Sequence, residues 1–342
     1  MEEEKTNKCA HCGGQMVFDS QSQSLKCIHC GALDVFDVER MTQAKHPFDG
    51  TSESTTSKTE NAEYACMTCG RRHVFKKGEK DIRCPSCGDK NLKRVLKIDY
   101  KPDGILPFKV DKDNALKCFF EWIKKRKMAP RALKNLDRAQ LLKAMYVPMY
   151  SFDTDTFTKY TGIGIDRYTD SKGKKRVRRE AFSSSCKNQY RDYYESAGEE
   201  ISTETLVKLR PFSNELYVYK PEFVYGYIGA ELTCHLQDSF RFMALDITQS
   251  IERKIRRELG YTEIQAFKCA TSFSNTKYHY YYLPVYKGTY HYGKKDYTFY
   301  VNGESGKVVG KAPVSIWKAI GVALLIGLGI AGIALLITFL SK

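Results

Sequence analysis

Apolar positions are distributed along this chain in three ways, and each way predicts a different element. From Ala319 to Leu340 a run of 22 residues carries no charge. As a helix rising about 1.5 Å per residue it would extend roughly 33 Å, the thickness of a bilayer's hydrocarbon core. From Asp238 to Leu259 the apolar residues Phe240, Met243, Ala244, Ile247, Ile251, Ile255 and Leu259 share one helical face, and Gly260 supplies a stop. Ala115, Phe119, Trp122 and Ile123 mark a shorter helix over Asn114 to Lys127, and Leu133, Leu136, Leu141 and Leu142 suggest a further one. Between these lie Tyr-rich, β-branched stretches at Val147 to Arg167, Arg176 to Tyr194 and Glu263 to Val309, with a turn signal at Asn302-Gly303. Residues 99–315 are therefore expected to form an α+β domain with a twisted antiparallel sheet.

The N-terminal third reads differently. Cys9-x2-Cys12 is followed after fourteen residues by Cys27-x2-Cys30, and Cys66-x2-Cys69 after fourteen by Cys84-x2-Cys87. Each Cys-x-x-Cys sets two thiolates on one tight knuckle, and two knuckles joined by a short hairpin complete a tetrahedral four-cysteine shell for Zn²⁺. Gly13, Gly31, Gly70 and Gly88 each follow a second cysteine, where the turn favours positive φ. Val17-Phe18 and Val74-Phe75 occupy the same offset in the two copies, as a duplicated strand would. The expectation is two structural zinc ions, in ribbons at 1–37 and 63–98. His11, His29 and His73 are read as surface residues, because four cysteines already close each shell. A closed shell leaves no position for water or substrate, which argues against zinc catalysis. The polar stretch 48–62 completes a flexible linker over 38–62.

The 342 residues carry a net charge of +15, which favours an anionic partner, nucleic acid or a bilayer face. Cys118, Cys186, Cys234 and Cys269 stand singly, and no apolar run follows the acidic N-terminus. This is zinc-binding cysteine usage in a reducing compartment, not a disulfide framework. Lys307, Lys311 and Lys318 precede the apolar tail and Trp317 flanks it. The positive-inside rule then predicts a single-pass tail anchor at 316–340, in the cytoplasmic membrane, with the bulk in the cytoplasm. Ala319, Ala323, Gly327 and Ala331 recur every fourth residue and offer a narrow face to a second helix.

Several stretches carry a resemblance: IleLeuProPhe at 105–108, PheGluTrpIle at 120–123, TyrValProMetTyrSerPheAsp at 146–153, TyrThrGlyIleGly at 160–164 and LeuProValTyr at 283–286. With the ribbons, they make the chain similar to bacterial TFIIB-type zinc-ribbon membrane proteins, often labelled primosomal protein N prime (replication factor Y) or phage replication proteins. That resemblance implies partners such as flotillin-like SPFH proteins and phage-shock-type membrane-stress proteins. A helicase-like label finds no support in the residues. GlyGluSerGlyLys at 303–307 has two residues between its glycines and Val308 after the lysine, which does not match the spacing and Lys-Ser/Thr pair of a phosphate loop.

No nucleophile and base set, HExxH or magnesium carboxylate pair is visible in the sequence, so a non-enzyme is expected. The leading reading is a membrane-anchored adaptor that docks protein partners. The alternative is a nucleic-acid-binding, replication-associated protein. The basic run LysGlyLysLysArgValArgArg at 172–179 stays open between a solvated loop, an anionic lipid contact and a nucleic-acid contact.

Overall fold

The computed structural model describes residues 7–50, 61–66, 72–76, 83, 85, 88–90, 92–95, 101–130, 133, 142–293 and 295–340. The chain opens with β1 (Met16–Asp19), β2 (Ser24–Cys27) and β3 (Leu33–Asp34), an antiparallel sheet in that order. After the short β4 (His46–Pro47), a second small sheet forms from β5 (Asn61–Cys66), β6 (Arg72–Lys76) and β7 (Leu92–Val95), in the order β6-β5-β7. The remaining elements are β8 (Gly104–Ile105), α1 (Lys112–Lys125), β9 (Leu142–Thr169), β10 (Lys175–Ser196), α2 (Thr203–Leu209), β11 (Tyr217–Val218), a 3₁₀ turn Pro221–Val224, β12 (Ile228–Gly229), α3 (Leu236–Leu259), β13 (Glu263–Tyr292), β14 (Lys295–Asn302), β15 (Val308–Gly310) and α4 (Ile316–Leu340).

A nine-stranded sheet dominates, with the path β10-β9-β13-β14-β15 and the short β4, β8, β11 and β12 joined at its margins. Its three longest strands have 22, 28 and 30 residues, well beyond the usual five or six or so. Tyr and other aromatic residues, with Thr and other β-branched ones, sustain them. Near the body both faces of this sheet are covered. Farther out, 151–165 alternate more nearly between buried and exposed, because α3 covers one face alone. Met243, Ile247, Ile251 and Ile255 of α3 bury against Tyr150, Phe152, Tyr278 and Tyr280. Gly260 ends the helix in the left-handed conformation (φ 68°), as its place after the apolar face predicts.

The other helix read from periodicity, α1, is capped by Asp111, whose side chain accepts from Asn114 N–H. It buries Ala115, Leu116, Phe119, Phe120 and Ile123, and Phe119 stacks on Phe299 at 3.8 Å between ring centroids. Asn302 and Gly303 do begin a turn. Asn302 Oδ1 accepts from the N–H groups of Glu304 and Ser305, and Lys307 donates to the Arg210 carbonyl, so 303–307 is a hairpin loop tied to its neighbours.

Several expectations are corrected. The helix suggested by Leu133 to Leu142 does not hold at its end, since Leu142 begins β9; residues 134–141 lie outside the described residues. The expected fold class, two β ribbons, an α+β domain and one C-terminal transmembrane helix, gives way to a chain that is mostly β sheet with four α-helices among the described residues. Among those residues no helix is long and apolar enough to cross a membrane. The single-span membrane partner, the tail-anchored placement in the cytoplasmic membrane and the transmembrane helix contact are corrected by that finding. Of the small-residue face, Ala323, Gly327 and Ala331 are exposed on α4, and the side chain of Ala319 lies outside the described residues.

Candidate metal centre

The first ribbon is built from two matching turns. Gly13 N–H donates to the Cys9 carbonyl at 2.8 Å and Gly31 N–H to the Cys27 carbonyl at 3.0 Å, while Cys9 and Cys27 donate forward to Gly14 and Ala32. Gly13 and Gly31 stand at φ 71° and 73°, where a side chain would be strained. Gly88 repeats this at 74° in the second copy. The two turns face each other across the β1–β2 hairpin, and the four Sγ atoms of Cys9, Cys12, Cys27 and Cys30 lie within 4.8 Å of one another.

Those distances select among cysteine chemistries. Cys9 Sγ to Cys30 Sγ is 3.7 Å and Cys12 Sγ to Cys27 Sγ is 3.5 Å. A disulfide needs about 2.05 Å. Four sulfurs at about 2.3 Å from a tetrahedral Zn²⁺ would sit roughly 3.8 Å apart, so these two distances suit a shared metal ion and not a disulfide. The thiols also perturb one another. Backbone N–H donors from Cys30 and His29 lower the Cys27 pKa to about 6, despite desolvation. Cys12 is pushed up to about 12: the Gly14 N–H lowers it, but the sharing of hydrogen bonds with Cys27, Cys30 and Cys9 outweighs that donor. The opposite directions express a shared proton inventory. Cys27 gives up its proton readily and Cys12 resists, and a divalent cation would favour both thiolates.

Cys9 and Cys27 are buried and Cys12 and Cys30 exposed, so the site sits at the rim of the ribbon. His11 and His29 are exposed beside it. Cys69, Cys84 and Cys87, with the side chains of Cys66 and His73, lie outside the described residues. The described structure therefore gathers one set of four cysteines, and does not support two zinc sites.

Periodicity gave no sign that the first ribbon shares a core with the large sheet. Phe18 and Phe36 pack on Phe223 at 5.3 and 5.0 Å, Phe18 N–H donates to the Tyr225 carbonyl at 2.9 Å, and Tyr227 stacks on Phe108 at 4.5 Å. Gly226 meets Val17 so closely that an added Cβ would approach it to 2.8 Å. The four-cysteine cluster is thus mechanically coupled to the aromatic core around Phe108, Tyr146 and Tyr286.

A second polar cluster lies where β4 and the segment before it meet β9, β10 and β13. Lys45 Nζ reaches Asp153 at 2.6 Å, Asp192 at 2.7 Å and Ser151 Oγ at 3.1 Å, and His46 pairs with Asp103 at 2.9 Å. His279 is buried beside them, bonded to the Tyr281 hydroxyl. Burial lowers the His279 pKa, outweighing the Ala44 carbonyl and the Asp103 carboxylate, while His46 and Lys45 lower it further. A histidine whose folded pKa is depressed contributes stability above its ordinary pKa of about 6.5 and loses it as pH falls toward the folded value. Thermal midpoints measured below that pH are expected to fall less in His279→Gln than in the parent chain. Parallel curves would contradict this.

The chain is similar to the uncharacterized protein YdjG of Bacillus subtilis (strain 168), with 27% identity over 316 residues, 91% of each chain. No protein-family model matches it. No solved structure matches it either.

Proposed function

We propose that the chain is a zinc-ribbon adaptor, a protein that docks other proteins through a ribbon whose shape is fixed by Zn²⁺ at Cys9, Cys12, Cys27 and Cys30. The supporting observation is the closed four-sulfur cluster, which suits a structural ion and leaves no ligand position for a reaction. By the matched spacing, Cys66, Cys69, Cys84 and Cys87 hold a second Zn²⁺ of the same kind. The likeness of the ribbon spacing to TFIIB-type zinc-ribbon proteins agrees with this reading.

The docking face lies beside the metal. Ile28, Leu33 and Val35 are 57%, 56% and 84% exposed, on a ribbon that buries Met16, Phe18, Leu25 and Phe36. Exposed apolar side chains on so small a module are characteristic of contact surfaces. The test is capture from native extracts with the intact chain and with Ile28→Ser, Leu33→Ser, Val35→Ser combined. Loss of a protein partner with zinc content unchanged is the expected result. Capture indifferent to these changes, or dependent only on nuclease-sensitive material, would overturn the reading.

A further inference from the structure

The three longest strands leave the body together as an arm. From Tyr146, in the core under the first ribbon, to Thr169 at the end of β9 the strand runs roughly 75 Å at about 3.3 Å per residue. β13 accompanies it only as far as Glu263, opposite Ile165. Beyond that point 166–169 and 175–178 continue as a two-stranded ribbon with no third strand. Asp170 fixes the tip: it accepts from the N–H groups of Lys172 and Lys174 and from Arg176 Nε, and Gly173 turns the chain at φ 75°.

This tip is strongly cationic. Residues 166–180 hold seven Lys and Arg against three carboxylates, and 171–180 are exposed throughout. Strand alternation sends Arg176 and Arg178 to one face and Lys175 and Arg179 to the other. The C-terminal turn of α3 arrives at the same end, where Thr262 N–H donates to Asp166 and Tyr261 stacks on Phe182. It adds exposed Arg253 and Arg257. Among the described residues, Lys172, Lys174, Lys175 and Arg179 make no ion pair.

We propose that this basic tip, together with the end of α3, is a docking surface for double-stranded DNA. Three features select that partner. A two-stranded β-ribbon is one of the two shapes a major groove admits. Cations on both faces suit a groove with phosphates on both walls, whereas a flat anionic bilayer would engage one face. Apart from Gly173, Tyr168 and Val177 are the only apolar residues from 166 to 180, so the tip lacks the packed aromatic and aliphatic anchors of a protein interface. Phosphate contacts need no such anchors.

The experiment measures binding of the full chain to a short mixed-sequence DNA duplex across a salt series. Parallel arms use phosphatidylserine-containing vesicles and polyglutamate. The tip variant combines Lys172→Ala, Lys174→Ala, Lys175→Ala and Arg179→Ala. A control removes equal charge elsewhere through Lys117→Ala, Lys124→Ala, Lys125→Ala and Lys127→Ala on and after α1. Duplex binding should weaken steeply with salt. In the tip variant it should fall at least about tenfold, with the log–log salt slope reduced by about three to four. The control should retain near-parent affinity, and Arg253→Ala with Arg257→Ala should weaken binding less than the tip variant. No duplex binding at low salt, equal losses in tip and control variants, or tip-dependent binding of vesicles or polyglutamate without duplex binding would each overturn the proposal. Because the adaptor face lies on the first ribbon, failure of this proposal leaves that reading standing.

Discussion

Replacing Cys27 with Ser is expected to remove the metal from the first ribbon and to destabilise the body by at least about 3 kcal/mol. Structural zinc contributes roughly 10–16 kcal/mol to the folding of small finger peptides. Here part of that is retained, because β1 and β2 also bury Met16, Phe18 and Leu25 in the core shared with the sheet. Cys27 is 2% exposed and takes backbone donors from Cys30 and His29, so its loss removes both a ligand and the pivot of the second knuckle. Thermal or urea unfolding with parallel zinc assay checks this. An unchanged midpoint in a zinc-free variant would show that the ribbon folds without metal.

Phe223→Ala should have a comparable effect for a different reason. The ring is 1% exposed and touches Phe18, Phe36 and Tyr217, the last at 6.0 Å. Truncating a buried Phe costs about 3–5 kcal/mol when the surroundings cannot collapse into the space. Collapse is restricted here because one wall is a ribbon held by its two cysteine turns and the other is the 3₁₀ turn with the segment through Tyr227. Amide exchange should therefore accelerate in β1 and β2 before it does in β9 or β13. Destabilisation below about 1 kcal/mol, with exchange in β1 unchanged, would mean that the ribbon is not coupled to the core.

Local signals carried much of this architecture. The apolar stripes of α1 and α3 were legible because each helix buries one face against one sheet, so its period survives in the sequence. Cys9, Cys12, Cys27 and Cys30 were legible because a metal shell imposes spacing on a short segment. What escaped depends on contacts distant in sequence. Nothing around Val17 or Phe18 announces a partner at Phe223, some two hundred residues on, nor does Lys45 reveal that Asp153 and Asp192 will converge on it. Leu142 misled because an apolar residue at helical spacing also suits the start of a strand, as it does in β9. The basic run at 172–179 was visible as charge, but its protrusion past the end of β13 was not, since that depends on where a third strand begins.

Zinc content of the purified full chain, compared with that of a chain carrying Cys9→Ser and Cys27→Ser, tests the central claim most directly. The difference isolates the first ribbon whatever the second cysteine set binds. One zinc fewer per chain in the variant, with the parent's zinc resistant to gel filtration, is the result expected of a four-thiolate structural site. Equal zinc in the two proteins, or none in parent protein prepared without chelator, would contradict it.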